Sequence, residues 1–575
     1  MSDWICPGGS VHVVTCAIAG TMHLFAPTAI AAPGSVTDPA LEHLDRPGIE
    51  RPPLPDYDVP DSTPEFILPP ITPIAPEEQK LSSTIKVYVK EIRLTGNTIF
   101  TRAELSPILG QYENREIYNE ELQALRQALT VYYVERGYIN SGAVIPDQEV
   151  RDGVIEIQIV EGQLTEINVT GDAHLNSRYV SRRLELGAGP PLNINTLQQQ
   201  LQILLQDPLI KKITSELIPG DRPGEAILTA DVEEEPIYQA GIIADNHVSP
   251  SIGGGQLTAF GALPDITGYG DALSGQFAYA EGLYDVFLSY SVPVTPRDTS
   301  IKTYVQWSES DVVEEPFSII DVESESLDYG ISVSHPLFRT PNRSFTIRAE
   351  LDRRHSKTFL LGMPFSFSPG VQDGVSDVTV VRLTQEWLDR RQNHVIAMNS
   401  TFNFGIDAFG ATINKEAPDG RFFTWLGQFQ FARRFSNDSQ IIFRTDIQVA
   451  KDALLPLEKF AIGGDTSARG YRENQLVRDQ GFVSSLEYRY PLFKDEFGQS
   501  QFHLAPFLDV GGAWEVGIAA PKPNVIVGTG FGLRWDPSQK LHAHVYWGIP
   551  LVDANNPEND LQDSGIHFQL SCQVF

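Results

Sequence analysis

The chain has 575 residues, too many for one ordinary hydrophobic core, so its length predicts two or more domains. It carries 74 acidic and 43 basic residues, and this net charge of −31 argues against nucleic acid as a partner. No run of about eighteen apolar residues occurs, which excludes a membrane-spanning helix but not a membrane barrel, whose strands are short and only half apolar.

The first residues predict export from the cytoplasm. Residues 1–32 are interpreted as a signal peptide, because an apolar stretch over residues 11–26 precedes an A-x-A cleavage pattern at residues 29–31. No Lys or Arg precedes Arg46, so the usual positively charged start of such a signal is missing. We expect export without lipid attachment.

Residues 33–80 are predicted to be an extended linker, because twelve prolines lie between Pro33 and Pro76, mixed with Asp and Glu. Such a segment cannot bury enough apolar surface to form a core. With two of the three cysteines in the predicted leader, Cys572 remains as the one thiol of the mature chain. We therefore expect no internal disulfide and no cysteine metal site.

Residues 81–162 predict a small α+β domain with the order β-α-α-β-β. A strand over residues 86–94 is followed by a helix that Thr101 caps, and Asn119 opens a second helix with leucines at helical spacing. Val154–Val160 alternates in the manner of a strand. This order, with a T-G-N-x-x-F turn after the first strand, resembles a POTRA domain.

The same pattern recurs over residues 163–236. Helices are predicted at residues 177–185 and 196–206, and strands at residues 213–218 and 226–232 complete the unit. The fold predicted for this part is thus two tandem POTRA-like α+β domains. Edge-strand pairing with an unfolded client would be their functional use.

From residue 237 to residue 575 the sequence changes to alternating strands rich in Gly and aromatic residues. An even number of such strands, about ten residues long, favours a 16-stranded antiparallel transmembrane β-barrel over a soluble β-sandwich. Long polar loops alternate with short turns, including an acidic, solvent-exposed loop at residues 311–325. The predicted strands begin near residues 237, 253, 270, 283, 299, 323, 342, 374, 391, 421, 439, 481, 500, 524, 540 and 565.

Two motifs within this barrel point to a shared site. A long, polar, glycine-punctuated stretch carries Arg469, Gly470 and Tyr471 inside a predicted inserted loop at residues 455–480, joining strands eleven and twelve. About forty residues later comes an F-x-D-x-G strand motif with the following residues: Phe507, Asp509 and Gly511. With its apolar face toward lipid, this strand would direct the aspartate inward, where a guanidinium could pair with it through two hydrogen bonds.

The two motifs together resemble the two-partner secretion transporters of the hemolysin activation/secretion type, which are outer-membrane barrels with periplasmic POTRA domains. In that family the arginine at the tip of an inserted loop contacts the strand aspartate on the inner barrel wall. The resemblance implies that Arg469 and Asp509 are this pair and that Gly470 and Tyr471 shape the loop tip. Ala468 stands where the family more often has Val.

The terminal strand from Gly565 ends in Phe575, as bacterial outer-membrane barrels commonly do, and this residue is predicted to be the assembly signal read by the barrel assembly machinery. Ile566 begins its apolar register, whereas Phe575 falls in the polar register. A bulge or a lumen-facing terminal ring would reconcile the two.

The sequence predicts neither an enzyme nor a bound cofactor. No G-x-S-x-G, H-E-x-x-H, Walker or EF-hand motif occurs. His542 and His544 alternate on one strand and should face the lumen, which raises the possibility of a metal site. Without a carboxylate or Cys nearby in sequence, we interpret them as polar wall residues and predict no metal.

The resemblance implies an outer-membrane transporter that exports a large, unfolded exoprotein, with a β-helical fold and an N-terminal secretion domain that the POTRA domains capture in the periplasm. Its other partners would be outer-membrane lipids and the barrel assembly machinery. An insertase of the same superfamily, and a passive porin with periplasmic binding modules, are the alternative interpretations.

Overall fold

The computed structural model describes residues 86–171, 174–235, 238–493, 500–538, 540–554, 556 and 559–574. The predicted signal peptide, the proline-rich linker and Phe575 lie outside these residues. Among the described residues, no α-helix has the length and apolar content needed to cross a membrane. Short 3-10 helices lie in connections at Pro250–Ile252, Phe317–Ile320 and Pro456–Glu458.

The first α+β unit packs two helices against a three-stranded sheet of order β2-β5-β4, in which β2 and β5 run parallel. The predicted single strand at residues 86–94 is two strands, because β1 pairs with β3 whereas β2 pairs with β5. Thr101 caps the first helix in a reciprocal capping box with Glu104. The elements are β1 (Lys86–Val89), β2 (Glu91–Thr95), α1 (Arg102–Leu109), β3 (Arg115–Tyr118), α2 (Asn119–Val134), β4 (Gly142–Val144) and β5 (Val154–Val160).

A carboxylate fixes the turn after β2. Glu161 accepts hydrogen bonds from the backbone N–H groups of Thr98 at 2.7 Å and Ile99 at 2.9 Å, and from the Tyr133 hydroxyl at 3.1 Å. Burial by itself would raise the pKa of Glu161, but these hydrogen bonds favour the charged form and lower the pKa overall. The T-G-N-x-x-F turn is therefore held by an ionised side chain.

The second α+β unit repeats this arrangement, with sheet order β6-β8-β7 and with β6 parallel to β8. In both three-stranded sheets the last strand is central and pairs with the strand of that sheet that comes first in the chain. The core is formed by leucines of the two helices against the sheet, including Leu184, Leu197 and Leu201. The elements are β6 (Gln163–Gly171), α3 (Ser177–Glu185), α4 (Ile194–Leu204), β7 (Ile210–Pro219) and β8 (Glu225–Glu234).

The remaining chain is a closed antiparallel barrel of sixteen strands, in which the last strand pairs with the first. Each strand begins within three residues of its predicted start, and the predicted fold class is confirmed. The barrel strands are β9 (Gln239–Asp245), β10 (Gln256–Pro264), β11 (Ala272–Ala280), β12 (Leu283–Pro293), β13 (Ser300–Asp311), β14 (Val322–Arg339), β15 (Arg343–Leu360), β17 (Val375–Arg390), β18 (His394–Gly405), β19 (Phe423–Arg434), β20 (Gln440–Ala450), β23 (Gln480–Phe493), β24 (Phe502–Trp514), β25 (Val525–Ser538), β26 (Leu541–Pro550) and β27 (Ile566–Gln573). Outside this ring, β16 (Met363–Pro364) extends the end of β15, and β21 (Phe460–Ile462) pairs with β22 (Leu476–Arg478).

The two faces of the barrel wall follow the alternation in the sequence. On β24, Leu504 and Leu508 are exposed on the outer face, whereas Ala505, Phe507 and Asp509 are buried on the inner face. Outward apolar side chains and inward polar ones are the pattern of a membrane barrel.

The second α+β unit packs against the short turns at one end of the barrel. Arg183 of α3 donates to Asp298, in the β12–β13 turn, at 2.7 Å, and Asn176 donates its backbone N–H to Gly268 O, in the β10–β11 turn, at 2.8 Å. These turns therefore lie on the side of the α+β units, and the longer loops open at the other end.

Candidate functional site in the barrel lumen

The segment between β20 and β23 folds back into the barrel, and we call residues 451–479 the lumen loop. Its central part is the β21–β22 hairpin. Gly463, Gly464 and Gly470 all take positive φ, a conformation that glycine adopts without steric cost. The sequence placed this loop at residues 455–480, so its limits differ by a few residues.

The tip of the lumen loop delivers Arg469 to the inner face of β24. Its Nε and Nη2 donate to the two carboxylate oxygens of Asp509 at 2.8 and 2.9 Å, and its backbone N–H donates to the same carboxylate at 3.0 Å. Arg469 is 4% exposed and Asp509 is fully buried. A bidentate guanidinium–carboxylate pair of this kind fixes both distance and orientation.

Further wall residues complete what we call the lumen cluster: Arg469, Ser485, Glu487, Phe507, Asp509 and Tyr546. Arg469 donates to Ser485 Oγ at 3.0 Å and also to the Glu487 carboxylate. Its guanidinium lies 3.8 Å from the centre of the Phe507 ring and 4.6 Å from that of Tyr546. The guanidinium is thus held by two anions and two aromatic faces at once.

The second carboxylate of the cluster has cationic support of its own. Glu487 accepts from Arg489 Nε at 2.6 Å and from the Tyr546 hydroxyl at 3.0 Å. If Arg469 were removed, Glu487 would keep the positive charge of Arg489, whereas Asp509 would lose its guanidinium partner.

Glycines of the barrel wall allow the loop backbone to approach closely. A Cβ on Gly548 would lie 2.4 Å from the backbone nitrogen of Gly470, and one on Gly528 would lie 2.0 Å from Arg469 O. Gly511, the last residue of the F-x-D-x-G motif, faces Ile462, whose Cγ2 would be 2.6 Å from an added Cβ. The wall has no room for side chains where the loop tip rests.

Tyr471 anchors the tip on its other side. Its fully buried ring packs in an apolar cluster with Ala468 and Ile526, among others. Its hydroxyl donates to Val527 O at 2.8 Å and accepts from Val552 N at 3.1 Å. The three residues of the R-G-Y motif thus contribute an ion pair, a close backbone contact and an apolar anchor.

The base of the lumen loop is bound to a different part of the wall. Glu458 is buried and accepts from Arg382 of β17 at 2.8 and 3.1 Å, while Arg354 of β15 donates to Leu457 O at 2.6 Å. Since β15 and β17 are separated from β24 by β18, β19, β20 and β23, the loop crosses the lumen between these two attachments.

Arg472, next to the motif, joins the loop to the outer connections. It donates to Glu314, in the β13–β14 loop, at 2.8 and 3.0 Å and to Asp563, in the β26–β27 loop, at 2.6 and 2.7 Å. The predicted acidic, solvent-exposed loop at residues 311–325 is therefore shorter, because β14 begins at Val322, and one of its carboxylates pairs with the lumen loop.

The two histidines of β26 have different surroundings. His542 contacts Asp536 at 2.9 Å, whereas His544 Nε2 lies 3.3 Å from Asp465 Oδ2 of the lumen loop. Sequence reasoning missed that second carboxylate because it is 79 residues away along the chain.

Glu487 was also missed, although a signal was present in the sequence. Ser485, Glu487 and Arg489 alternate with outward residues along β23, and such a polar row on a strand of a membrane barrel indicates a lumen-facing side. For the contacts of Arg472 and Glu458, the sequence holds no comparable local pattern.

Comparisons with known proteins agree with this architecture. A family model described as "Haemolysin secretion/activation protein ShlB/FhaC/HecB" matches residues 224–535, and one for "POTRA domain, ShlB-type" matches residues 87–162. Among curated proteins, the chain is 23% identical over 418 residues to the outer membrane transporter CdiB of Dickeya dadantii (strain 3937), covering 68% of this chain and 70% of that protein. It is 21% identical over 432 residues to the heme/hemopexin transporter protein HuxB of Haemophilus influenzae (strain 86-028NP), covering 71% and 72% of the two chains.

Solved structures show the same fold. CdiB from Escherichia coli superposes with a TM-score of 0.64 at 22% identity, covering 87% of this chain and 93% of that chain. BamA from Haemophilus ducreyi lacking POTRA domains 1–3 gives a TM-score of 0.53 at 13% identity, covering 85% and 100%. Because the family model spans more than half of its residues, the chain belongs to the haemolysin secretion/activation family, and it is an outer-membrane transporter of two-partner secretion with its POTRA region in the periplasm.

Proposed function

We propose that the lumen loop is the element that controls passage of the exported protein, and that the lumen cluster holds this loop in its seated position between export events. The observation that carries the proposal is the buried pairing of Arg469 with Asp509 and Glu487. In this position the loop is attached to two separate parts of the wall, through Glu458 at β17 and through Arg469 at β24. An unfolded chain could pass only after at least one attachment has been released.

The energetics fit a loop that is stable at rest. Separating a buried ion pair leaves charges uncompensated, at a cost of about 3–5 kcal/mol. The client or its binding in the periplasm would have to supply this free energy, since the proposed cycle uses no nucleotide. Replacing the buried contacts of the loop by contacts with the client is one source of it.

In this proposal the client is a large exoprotein with an N-terminal secretion domain and a β-helical fold, and the two α+β units recognise that domain. Its extended segments would add to an outer strand of a sheet, β4 in the first unit or β7 in the second, where backbone hydrogen bonds can form without sequence specificity. Residues 163–236 would then act as a second POTRA domain. Assembly of the barrel itself would rely on the barrel assembly machinery.

A loop-deletion variant tests the control step. Replacing residues 453–477 by a short Gly-Ser linker should raise single-channel conductance in planar bilayers and abolish export of the exoprotein, while the barrel still inserts. The control is a linker of equal size in the outer loop at residues 364–372. Conductance equal to wild type in the deletion variant would mean that the loop does not restrict the lumen.

The two alternatives give different results. An insertase would lower the abundance of many outer-membrane proteins when the gene is deleted, whereas an exporter would affect one secreted protein. A passive porin would conduct steadily without any client, and the lumen-crossing attachments of the loop argue against that behaviour.

A further inference from the structure

Three potential metal ligands from distant parts of the chain meet beside the lumen cluster. His247 follows β9, Asp465 belongs to the lumen loop four residues before Arg469, and His544 lies on β26. The Nε2 atoms of His247 and His544 lie 3.4 and 3.3 Å from the same oxygen, Asp465 Oδ2. All three donor atoms lie within 4.8 Å of one another.

The two nitrogen–oxygen distances match the spacing of ligands around one small cation. Ligand atoms about 2.0–2.1 Å from a tetrahedral Zn²⁺ lie about 3.3–3.4 Å from each other. The two imidazole rings are nearly parallel, with an interplanar angle of 22° and centroids 6.1 Å apart, and both Nε2 atoms lie close to the carboxylate. The side chains are 17%, 11% and 10% exposed for His247, Asp465 and His544, which shields a bound ion from bulk water.

The hydrogen bonding of the site is incomplete without a further ligand. Among the described residues, His247 Nε2, His544 Nε2 and Asp465 Oδ1 are buried atoms without a well-aligned hydrogen-bond partner, and the two nitrogens lie only at ion-pair distance from Asp465 Oδ2. Buried polar atoms in native proteins are almost always satisfied, and a bound ion is one of the ways in which this happens. Two of these three atoms are the nitrogens that would ligate the ion.

We propose that His247, Asp465 and His544 bind one divalent transition-metal ion, with Zn²⁺ as the best match. Two imidazoles and one carboxylate favour Zn²⁺ over Mg²⁺ or Ca²⁺, which prefer oxygen ligands. Three protein ligands leave a fourth position for water. The sequence predicted no metal here because Asp465 is 79 residues from His544 and 218 residues from His247 along the chain, and the proposed site departs from that prediction.

The position of the site indicates which parts of the barrel a bound ion would connect. His544 is on β26, whose neighbour β27 closes the barrel by pairing with β9, and His247 follows β9 directly. The ion therefore connects the lumen loop to both sides of the closing seam. Under the proposed function, bound Zn²⁺ would hold the loop seated, whereas metal binding itself does not depend on that function.

The experiment measures Zn²⁺ binding to the full chain, purified in detergent with a tag that lacks histidine and treated with EDTA. Wild type should bind one Zn²⁺ per chain, and Co²⁺ in its place should give the absorption of a tetrahedral site. His544→Ala and the double variant with His247→Ala should lose at least tenfold in affinity. His542→Ala is the matched control, since it removes a histidine two residues away on the same strand and should bind as wild type.

Asp465→Asn provides a second test that leaves the barrel strands unchanged, and heat-modifiable mobility on gels verifies that each variant is folded. No stoichiometric Zn²⁺ on wild type, or unchanged affinity in the double variant, would overturn the proposal. An equal loss of Zn²⁺ affinity in His542→Ala would also overturn the proposal. If Zn²⁺ binds but export is the same with and without it, the site stands and its link to loop control does not.

Discussion

Replacing Arg469 by alanine should release the lumen loop while leaving the barrel intact. The substitution removes the side-chain hydrogen bonds to Asp509, Glu487 and Ser485 and leaves a fully buried carboxylate with one backbone donor, the N–H of residue 469. Breaking a buried pair by removing one partner costs about 3–5 kcal/mol. Because Arg489 still compensates Glu487, we expect the lower end of this range.

A loss of about 3 kcal/mol corresponds to roughly a hundredfold change in the ratio of seated to released loop, since about 1.4 kcal/mol is a factor of ten. We expect Arg469→Ala to increase the open fraction in single-channel recordings. It should also abolish export of the exoprotein to the cell surface, because controlled passage needs a loop that returns to its seated position between export events. The amount of folded barrel in the outer membrane should stay largely unchanged, because strand pairing does not involve this side chain.

Arg348→Ala is the matched control for this experiment. Arg348 also faces the lumen from the barrel wall, but it pairs with Glu386 on the neighbouring strand. It should therefore leave export and conductance near wild type. Wild-type export and unchanged conductance in Arg469→Ala would refute the assignment of the lumen cluster, because the loop would then be held by other contacts.

Three further predictions address separate parts of the molecule. Asp509→Asn should give a milder defect than Arg469→Ala, because the amide still accepts a hydrogen bond, and unaltered gating and export would argue against a functional pair. Gly548→Val should impair export through steric contact, since its Cβ would lie 2.4 Å from Gly470 N, and wild-type conductance would contradict the close approach. In the periplasmic region, the pKa of Glu161 is lowered in the folded state. The ionised carboxylate therefore stabilises the first α+β unit at pH values above its ordinary pKa of 4.5, and this stabilisation is lost as pH falls through the folded-state pKa. Protection of the first α+β unit against hydrogen exchange in the full chain, measured relative to the intrinsic rate at each pH, should therefore fall in acid, and Glu161→Gln should be less stable at pH 7 with less of this acid dependence.

Much of the fold could be predicted because barrel strands and helices carry local signals. Alternation with period two located sixteen strands, since each residue of a membrane barrel faces either lipid or lumen. Thr101 and Asn119 marked helix starts because residue preferences at a helix start are also a local signal. The single strand predicted at residues 86–94 was wrong. Its two halves pair with different strands, and the sequence of this segment does not indicate those partners.

The sequence by itself therefore determined the order of the barrel strands, the inward direction of Asp509 and the unusual composition of the loop that carries Arg469. Only the tertiary structure decided what this loop touches. The partners of Arg472 are 158 and 91 residues away, and the histidines beside Asp465 come from opposite ends of the barrel sequence. Closing the barrel brings the first and last strands together, and the lumen loop then contacts wall residues that are far away along the chain. Contacts between such distant residues leave no local pattern in the sequence.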